Sequence, residues 1–342
     1  MLERIAVMGS GSMGTVLGAL LTEQGFPVAL VDVNQAHVDA LNRSGAVLRG
    51  MVERTIPVHA CRPEALTGHY DLFFLFTKQY ANPAAFGEME QHLAPGGVVC
   101  TLQNGLPEPE LAARFGQDRA MGCAVTWAAA CLSPGVVQTT TAPSHWSGRL
   151  GRLDGLITPQ VEEVGAVLNT VFPVEPTTQL LGMRWAKLLI NSAFSGVSSA
   201  LGVTFGGLLT RPAALKAAQY VARECVRVAR ASGYALQPMR EGEDFDRQMF
   251  FETEDQRAAA IPLFQELLTA SAGSRASMLQ DLLAGRRTEV DAINGVVAAQ
   301  GRRVGVPTPV CDLVIRTIHQ AEEAGRAPLP MEHLAEFEPL LV

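Results

Sequence analysis

The chain has 342 residues, of which 48% are hydrophobic and 18% charged, so it is long enough for two domains with their own cores, and a disordered protein is excluded. Its formal net charge of −7 argues against general binding to nucleic acid or to an anionic membrane. The apolar runs near the N-terminus are too short and too interrupted for a signal peptide or a membrane span, and we therefore expect a cytoplasmic globular protein.

The N-terminal segment carries the strongest motif. A predicted buried strand, Ile5–Met8, runs directly into the pattern G-x-G-x-x-G at residues 9–14, and a helix is predicted over Thr15–Gln24. In a dinucleotide-binding turn the first glycine permits the tight turn, the second lets the backbone approach a pyrophosphate, and the third allows close packing of helix on strand. We therefore predict cofactor contacts for Gly9, Ser10, Gly11, Ser12, Met13 and Gly14.

A second apolar strand strengthens this prediction. It covers Val28–Val31 and ends in Asp32, about twenty residues after the glycine motif. An acidic residue at this position can bind the ribose of a dinucleotide. Asp32 is therefore a further candidate cofactor contact.

Strands and helices alternate through the rest of the N-terminal half. Helices are predicted over residues 34–42, 82–93 and 159–169, and strands over residues 45–59 (as short strands around Gly50), 71–76, 98–102, 121–126, 135–141 and 145–152, with a turn at residues 95–97. This alternation is typical of a doubly wound α/β domain. We predict a Rossmann-type dinucleotide-binding domain over residues 1–175.

Two polar residues follow predicted strand ends. Lys78 comes shortly after the strand over residues 71–76, and Asn104 shortly after the strand over residues 98–102. Ligands bind at the carboxyl ends of strands in an open parallel sheet, so Lys78 is a candidate cofactor contact, with a surface lysine as the alternative. Asn104 precedes Gly105 and is either a functional residue or a turn element.

The second half has a different character. Strand patterns disappear after a proline-marked linker at residues 172–176, and helices are predicted over residues 181–200, 212–232, 257–270 and 289–302. A polar connection at residues 241–257 contains three phenylalanines that suggest packing. We predict a mainly α-helical substrate and catalytic domain over residues 176–342, whose apolar helices either pack internally or form a homodimer.

A polar stripe marks the first of these helices. Lys187, Asn191 and Ser195 are spaced four residues apart, which places them on one helical face among almost entirely apolar neighbours. Burying a lysine is costly unless something uses its charge. The stripe is either a narrow solvent-facing line or the lining of a cleft, and its single charge favours the cleft.

A second group of polar residues follows Ser277, which begins the sequence Ser-Met-Leu-Gln-Asp. Thr288 and Asp291 form a plausible helix-capping pair, which would place Glu289 in the first turn of a helix. There Glu289 would either complement the positive end of the helix or point into a cleft between the domains.

Cysteine and histidine positions point to neither disulfides nor metal. The six cysteines contain no C-x-x-C pair, and the seven histidines lack ligand spacing. We expect reduced thiols in the core and no metal site.

With these motifs in this order, the chain resembles the ketopantoate reductase (2-dehydropantoate 2-reductase) family over nearly its whole length. The resemblance rests on residues 9–14, 77–78, 102–105, 185–191 and, above all, 277–289. It implies Lys187 as the catalytic lysine and Glu289 as its acidic partner. The further contacts that it implies are Lys78 and Asn104 at the cofactor, and Asn104, Asn191, Ser195, Ser274 and Ser277 at the substrate.

Three departures from the family pattern concern cofactor and substrate. Members that use NADPH usually carry a basic residue after the second strand, whereas the carboxylate of Asp32 would bind a ribose diol and repel a phosphate, which favours NADH over NADPH. Ser195 and Ser274 stand where pantoate enzymes commonly have asparagines, and serine is shorter with different hydrogen-bonding groups. The segment over residues 241–270 is also longer than in compact members.

These features predict an oxidoreductase that transfers a hydride from NAD(P)H to the carbonyl of a 2-oxoacid. The negative charge that builds on the carbonyl oxygen would be stabilised and then protonated by Lys187. The favoured substrate is 2-dehydropantoate, reduced to (R)-pantoate in pantothenate biosynthesis. The main alternative is an NADH-dependent (R)-2-hydroxyacid dehydrogenase for branched or aromatic 2-oxoacids. A 3-hydroxyacid dehydrogenase is disfavoured by residues 277–289, and a dinucleotide-sensing protein would leave the polar stripe idle.

Overall fold

A computed structural model describes residues 2–238, 242 and 244–341. The chain divides into two compact units, Met1–Gln103 with Pro107–Leu180, and Asn104–Leu106 with Leu181–Val342. The segment predicted as a linker contains a short strand, Val174–Pro176, that pairs into the sheet of the first unit. The linker prediction was therefore wrong at these three residues, because strand pairing with a distant partner leaves no mark on so short a segment.

The first unit is built from alternating strands and helices. In chain order they are β1 (Ile5–Met8), α1 (Ser12–Glu23), β2 (Val28–Val31), α2 (Gln35–Ser44), β3 (Ala46–Gly50), β4 (Arg54–Ile56), β5 (His59–Cys61), β6 (Tyr70–Leu75), α3 (Asn82–His92), β7 (Leu93–Thr101), α4 (Glu108–Phe115), β8 (Ala120–Val125), β9 (Ala129–Ser133), β10 (Val136–Thr139), β11 (Gly148–Gly151), α5 (Pro159–Asn169) and β12 (Val174–Pro176).

Eight of these strands form the main sheet, in the order β12-β11-β8-β7-β6-β1-β2-β5. All neighbours are parallel except β8 and β11. The run from β5 to β8 has the strand order of a Rossmann fold, with the topological switch between β1 and β6. The remaining four strands form a second sheet in the order β4-β3-β10-β9. The predicted doubly wound α/β domain is confirmed.

Side chains on the two faces of the main sheet enter different hydrophobic cores. Ile5 and Val7 of β1 belong to one buried cluster, whereas Ala6 and Met8 belong to another. Alternate residues of a strand point to opposite faces, so helices must cover both sides of the sheet. This double burial explains why β1 is apolar at every position.

Local predictions in this unit failed where sequence signals were weak. The turn predicted at residues 95–97 is an irregularity inside β7, where Tyr70 pairs with Leu93 but Leu72 pairs with Val98. Helix α4 and strand β9 were not predicted. Three of the five residues of β9 are exposed, so it carries no apolar alternation.

The second unit is helical. Its elements are α6 (Leu180–Ile190), a π-helix (Asn191–Gly196), α7 (Val197–Ala200), α8 (Pro212–Ala231), α9 (Phe245–Gln248), α10 (Glu254–Thr269), α11 (Ser277–Leu283), α12 (Asn294–Val304), α13 (Pro309–Glu323) and α14 (Leu334–Phe337), with 3-10 turns at Gly206–Thr210, Val290–Ala292 and Glu338–Leu340. The predicted helical character is confirmed, although α9, α11, α13 and α14 were not predicted.

Helix α8 is central to this unit. It packs against the π-helix, α12 and α13, and its buried positions are mostly alanine and valine. Part of the predicted polar connection, including Glu241 and Glu243, lies outside the described residues. Beyond it, Phe245 and Phe251 are buried in the same core, as their sequence setting suggested.

Two kinds of feature are absent from the described residues. Within residues 2–238, 242 and 244–341, no helix has both the length and the apolar character needed to cross a membrane. The same residues contain no group of histidine, cysteine or acidic side chains arranged to hold a metal ion.

Candidate active site

The three glycines of the N-terminal turn meet three different environments. Gly9 has a φ of +88°, and a Cβ added there would lie 2.5 Å from the backbone nitrogen of Thr77. A Cβ at Gly14 would lie 2.3 Å from the carbonyl oxygen of Gly9. At Gly11, apart from the glycine itself and its two chain neighbours, no described atom lies within 4 Å of the Cβ position. Gly9 and Gly14 are therefore required by the fold, whereas the absent side chain of Gly11 leaves open space.

This open space lies at the start of helix α1. Gly11 is the N-cap residue, has no side chain to cap the helix, and has a φ of −64°. No acidic residue occupies the first turn, which begins Ser12-Met13-Gly14. Unpaired amides at a helix N-terminus and the helix dipole both favour an anion. The turn therefore fits the pyrophosphate of a dinucleotide.

A series of buried hydrogen bonds supports this turn. The backbone N–H of Gly135 donates to Nδ1 of His37 at 3.0 Å, and Nε2 of His37 lies 3.1 Å from Oγ1 of Thr15. Thr15 Oγ1 in turn donates to the carbonyl oxygen of Ser10 at 2.6 Å. Since a backbone N–H only donates, His37 is the neutral tautomer with its proton on Nε2.

The same hydrogen bonds also orient a backbone amide of the glycine turn. The carbonyl of one peptide and the N–H of the next residue point in opposite directions across a planar trans peptide. Thr15 therefore orients the amide of Gly11 as well as the carbonyl of Ser10. His37 and Thr15 were not predicted as site residues, because only the second sheet brings Gly135 beside helix α2.

Asp32 is half-buried directly after β2. Its Oδ1 accepts a hydrogen bond from the backbone N–H of Asn34 at 2.9 Å. The side chain of Asn34 in turn caps α2 by accepting from the backbone N–H of His37. Two short side-chain turns thus hold the carboxylate at the carboxyl end of a strand.

The carboxyl ends of β6 and β7 are tied together by Gln103. Its Nε2 donates to the carbonyl oxygen of Thr77 and to Oδ1 of Asn82, both at 2.7 Å. Asn82 Nδ2 continues the network to Oε2 of Glu110 at 2.8 Å. Lys78, half-buried, directly follows the anchored Thr77. Gln103 lies within the motif of residues 102–105, but the sequence suggested no role for it.

Asn104 directly follows this network. It is half-buried and precedes Gly105, whose φ is +80°. The turn interpretation of the Asn-Gly pair is therefore correct for the backbone. It does not exclude a functional side chain at Asn104, because the conformation at Gly105 constrains only the backbone.

In the second unit, the polar stripe forms one partly exposed line. Lys187, Asn191 and Ser195 are half-buried, as is the apolar Ile190, whereas Leu188 and Ala193 are fully buried. The predicted continuous helix over residues 181–200 is wrong, because α6 changes into a π-helix at Asn191.

Glu289 lies in a different local structure from the predicted one. Helix α12 begins at Asn294, and Glu289 instead precedes the 3-10 turn Val290–Ala292. Thr288 does not cap α12, because its Oγ1 accepts from the backbone N–H of Val290 at 3.2 Å. The predicted helix start at residue 289 and the Thr288–Asp291 cap are therefore wrong. Glu289 is buried, with 7% of its surface exposed.

The loop before Glu289 is anchored at both ends. Buried Asp281 accepts from Nε and Nη2 of Arg286 at 3.1 and 3.0 Å. Oε1 of Glu322 accepts from the backbone N–H of Thr288 at 2.6 Å. The segment from Ser277 to Glu289 therefore forms an anchored loop that fixes a carboxylate, in addition to any contacts with substrate.

The two remaining serines lie at the start of α11. Ser277 is its first residue, and Ser274 precedes it in a turn whose carbonyl accepts from the backbone N–H of Phe205. Both serines are exposed. Helix α11 packs against the π-helix that carries Asn191 and Ser195. The fold of this unit therefore places the predicted substrate residues on neighbouring elements.

Two family models match the chain, one over each of the two units. The model of the family described as ketopantoate reductase PanE/ApbA matches residues 5–152, and the model of its C-terminal domain matches residues 179–322. The chain belongs to the ketopantoate reductase family. The resemblance inferred from the motifs is confirmed, as is the prediction of a nicotinamide-dependent oxidoreductase acting on 2-oxoacids.

Relatives of this ketopantoate reductase family member match it over nearly their full length. The 2-dehydropantoate 2-reductase of Pyrococcus horikoshii is 28% identical over 329 residues, which cover 94% of this chain and 98% of the relative. The enzyme of the same name from Streptococcus pyogenes is 26% identical over 330 residues, covering 93% and 97%.

Two solved structures share the fold of this chain. The 2-dehydropantoate 2-reductase of Geobacter metallireducens has a TM-score of 0.78 and 27% identity, covering 93% of this chain and 99% of its own. A D-mandelate dehydrogenase solved with NADH and anilino(oxo)acetate has a TM-score of 0.80 and 22% identity, covering 94% and 99%. At that identity the second comparison shows a common fold.

Proposed function

We propose that this chain reduces 2-dehydropantoate to (R)-pantoate with NADH in the cytoplasm. The observation that carries the proposal is that Lys187, Asn191 and Ser195 are the half-buried polar side chains of a mostly buried helical segment. It supplies one cation and two hydrogen-bonding side chains on the same face. The names of the curated relatives support 2-dehydropantoate as the substrate.

In this proposal residues 1–175 bind the cofactor. The backbone amides of Gly11, Ser12 and Met13, at the start of α1, hold the pyrophosphate, while Gly9, Ser10 and Gly14 shape the turn around it. Lys78 and Asn104 contact the cofactor at the ends of β6 and β7. When bound, the reduced nicotinamide supplies a hydride.

Asp32 supports NADH over NADPH. Its carboxylate, held by the N–H of Asn34, can accept hydrogen bonds from both hydroxyls of a ribose. A 2′-phosphate at the same place would bring like charges together, at a cost that the half-buried position of Asp32 increases.

Residues 176–342 supply the catalytic groups. As the carbonyl of the 2-oxoacid is reduced, negative charge develops on its oxygen, and the ammonium of Lys187 stabilises that charge and donates the proton. The partial exposure of Lys187 lets water reprotonate the amine afterwards. Glu289 keeps Lys187 protonated through its negative charge, or accepts a hydrogen bond from a substrate hydroxyl.

The remaining polar side chains orient the substrate. Asn191 and Ser277 bind its carboxylate through N–H and O–H donors, while Asn104 orients the side near the nicotinamide. Ser195 and Ser274 contact the rest of the molecule. Positioning of this kind lowers the entropic part of the barrier.

A second candidate is an NADH-dependent (R)-2-hydroxyacid dehydrogenase for branched or aromatic 2-oxoacids. The observation that favours it is the pair Ser195 and Ser274, which offer less bulk and fewer hydrogen-bonding groups than the asparagines common in pantoate enzymes. A shorter side chain leaves room for a larger substrate.

The deciding experiment measures oxidation of NADH and of NADPH with 2-dehydropantoate and with a panel of branched and aromatic 2-oxoacids. Rapid turnover of 2-dehydropantoate with NADH supports the first proposal. If that substrate is ignored and a bulkier 2-oxoacid is reduced, the second candidate holds. Preference for NADPH would contradict the role given to Asp32.

A further inference from the structure

The π-helix at Asn191–Gly196 has a geometric effect on the polar stripe. Four residues of α-helix rotate a side chain by about 400°, roughly 40° past a full turn. A π-helix has about 4.4 residues per turn, so four of its residues rotate a side chain roughly 30° short of one. The angular offset between Lys187 and Asn191 is therefore nearly cancelled by the opposite offset between Asn191 and Ser195.

In a continuous α-helix the two offsets would add instead. Ser195 would then lie about 80° around the helix from Lys187, towards the side occupied by buried neighbours. The change of helix type at Asn191 is thus what keeps Ser195 level with Lys187. Single π turns inside α-helices occur frequently at functional sites.

Asn294 makes a specific contact with this π-helix. It is the first residue of α12 and is fully buried. Its Nδ2 donates to the carbonyl oxygen of Ser192 at 3.2 Å and lies 3.9 Å from Sγ of Cys311. Where a helix changes its hydrogen-bond ladder, carbonyl groups need partners from outside the helix. Asn294 supplies such a partner.

The other side of the Asn294 side chain faces Gly196. A Cβ at Gly196 would lie 2.4 Å from Oδ1 and 2.9 Å from Nδ2 of Asn294. Only glycine therefore lets the last turn of the π-helix approach α12 this closely. Oδ1 has no hydrogen-bond partner among the described residues, so the amide is held mainly by its donor side and by this packing.

We propose that Asn294 is a positioning residue for substrate, which holds the π-helix and thereby keeps Ser195 in line with Lys187. The inference rests on the proposed function, since it concerns the substrate-facing side of that site. It assigns Asn294 no contact with substrate or cofactor.

The first test compares Asn294→Ala with a matched control, Cys311→Ala. The control removes the other neighbour of Nδ2 and a buried side chain, but it leaves the bond to Ser192. We expect Asn294→Ala to raise KM for the 2-oxoacid about tenfold, the worth of one hydrogen bond, without changing the Kd of NADH. Cys311→Ala should leave KM unchanged. Unchanged KM in folded Asn294→Ala overturns the proposal.

A double-mutant cycle tests whether Asn294 acts through Ser195. If it does, Asn294→Ala should raise KM much less in a Ser195→Ala background than in the wild type, because coupled residues are not additive. Fully additive effects would contradict the proposal.

A second pair separates positioning from stability. Gly196→Ala alone should lower both Tm and activity, because its Cβ collides with Asn294. In Gly196→Ala/Asn294→Ala the collision is relieved, so Tm should recover while KM stays high. Recovery of both would show that Asn294 is only structural and would overturn the proposal.

A crystal structure of Asn294→Ala tests, without any substrate, whether Asn294 holds the π-helix in place. A change of residues 191–196 to an α-helical i→i+4 ladder supports the proposal, and a retained π-helix overturns it. If Asn294→Ala does not fold, Asn294→Ser, too short to reach Ser192, serves in its place. Failure of the wild-type protein to reduce any 2-oxoacid would refute the proposed function and leave this structural readout intact.

Discussion

Oγ1 of Thr15, in the first turns of α1, lies 3.1 Å from Nε2 of His37 in α2. This contact joins helices α1 and α2, and through Oγ1 it reaches the carbonyl of Ser10 inside the glycine turn. The turn is therefore held in a fixed shape by the surrounding protein. A binding loop that is fixed in advance loses less entropy when its ligand binds.

Removing the Thr15 hydroxyl should weaken cofactor binding. In Thr15→Val the side chain keeps its volume, but the carbonyl of Ser10 loses its donor and His37 loses its acceptor. We expect the Kd of NADH to rise about tenfold, measured by fluorescence titration. Thr22→Val, which removes a hydroxyl bonded to Gly18 on the same helix, is the control. Equal Kd values for the two variants would argue against a role in cofactor binding for the hydrogen bonds between His37, Thr15 and Ser10.

The glycines of the turn should separate binding from folding. Gly11→Ala adds a methyl group where, apart from the residue itself and its two chain neighbours, no described atom lies within 4 Å, so Tm should change little while NADH binding is lost. Gly14→Ala drives its Cβ against the carbonyl of Gly9 and should cost about 1–3 kcal/mol of unfolding free energy. Thermal melts and NADH titrations check both. Tight NADH binding by Gly11→Ala would refute the placement of the pyrophosphate.

Cofactor preference should respond to Asp32. Asp32→Ser removes the charge that repels a 2′-phosphate, and we expect the ratio of kcat/KM for NADPH to that for NADH to rise at least about tenfold. Asp39→Ser removes the same charge from the exposed side of α2 and is the matched control. If both variants shift the ratio equally, overall charge rather than the site is responsible.

Lys187→Ala should abolish most of the turnover. Loss of a general acid that also stabilises the developing charge is expected to lower kcat by about 100-fold or more, with the Kd of NADH within about twofold of wild type. Lys216→Ala, on α8 near Glu254, controls for loss of a lysine from the same unit. Wild-type kcat in Lys187→Ala would exclude the assignment.

Glu224 should make stability depend on pH. Its carboxylate accepts from the backbone N–H groups of Val310 and Cys311, both at 2.9 Å, at the start of α13. Burial is the largest influence on it and raises the pKa of Glu224 from 4.5 to about 7. The folded state therefore holds a proton that the unfolded state has already released between these pH values.

The sign of the effect follows from this difference. The stabilisation that comes from the raised pKa of Glu224 is fully present below pH 4.5. It is lost as pH rises towards 7, which lowers the free energy of unfolding by about 3 kcal/mol at most. Denaturant melts between pH 4.5 and 7.5 should show this loss in the wild type but not in Glu224→Gln. A parallel pH profile for the two proteins would contradict the prediction.

Sequence alone determined the features whose causes are local. Strands β1 and β2 have the predicted bounds, because an apolar run that ends in glycine or aspartate marks its own limits. The glycine turn was recognised because each of its three glycines answers a requirement of the neighbouring backbone. The same holds for α5, which begins at Pro159 behind a threonine cap and has the predicted bounds.

Tertiary structure decided what depends on a distant partner. The bond from Gly135 to His37, the pairing of β12 and the anchors on either side of Glu289 join residues that are far apart in sequence or hidden in short loops. The π-helix is the sharpest example, since residues 181–200 read as one α-helix, and the contact with Asn294 lies 102 residues away from Ser192. Local propensity favours the α-helix at these positions. Packing against α12 supplies the contacts that favour the π-helical hydrogen-bond pattern instead.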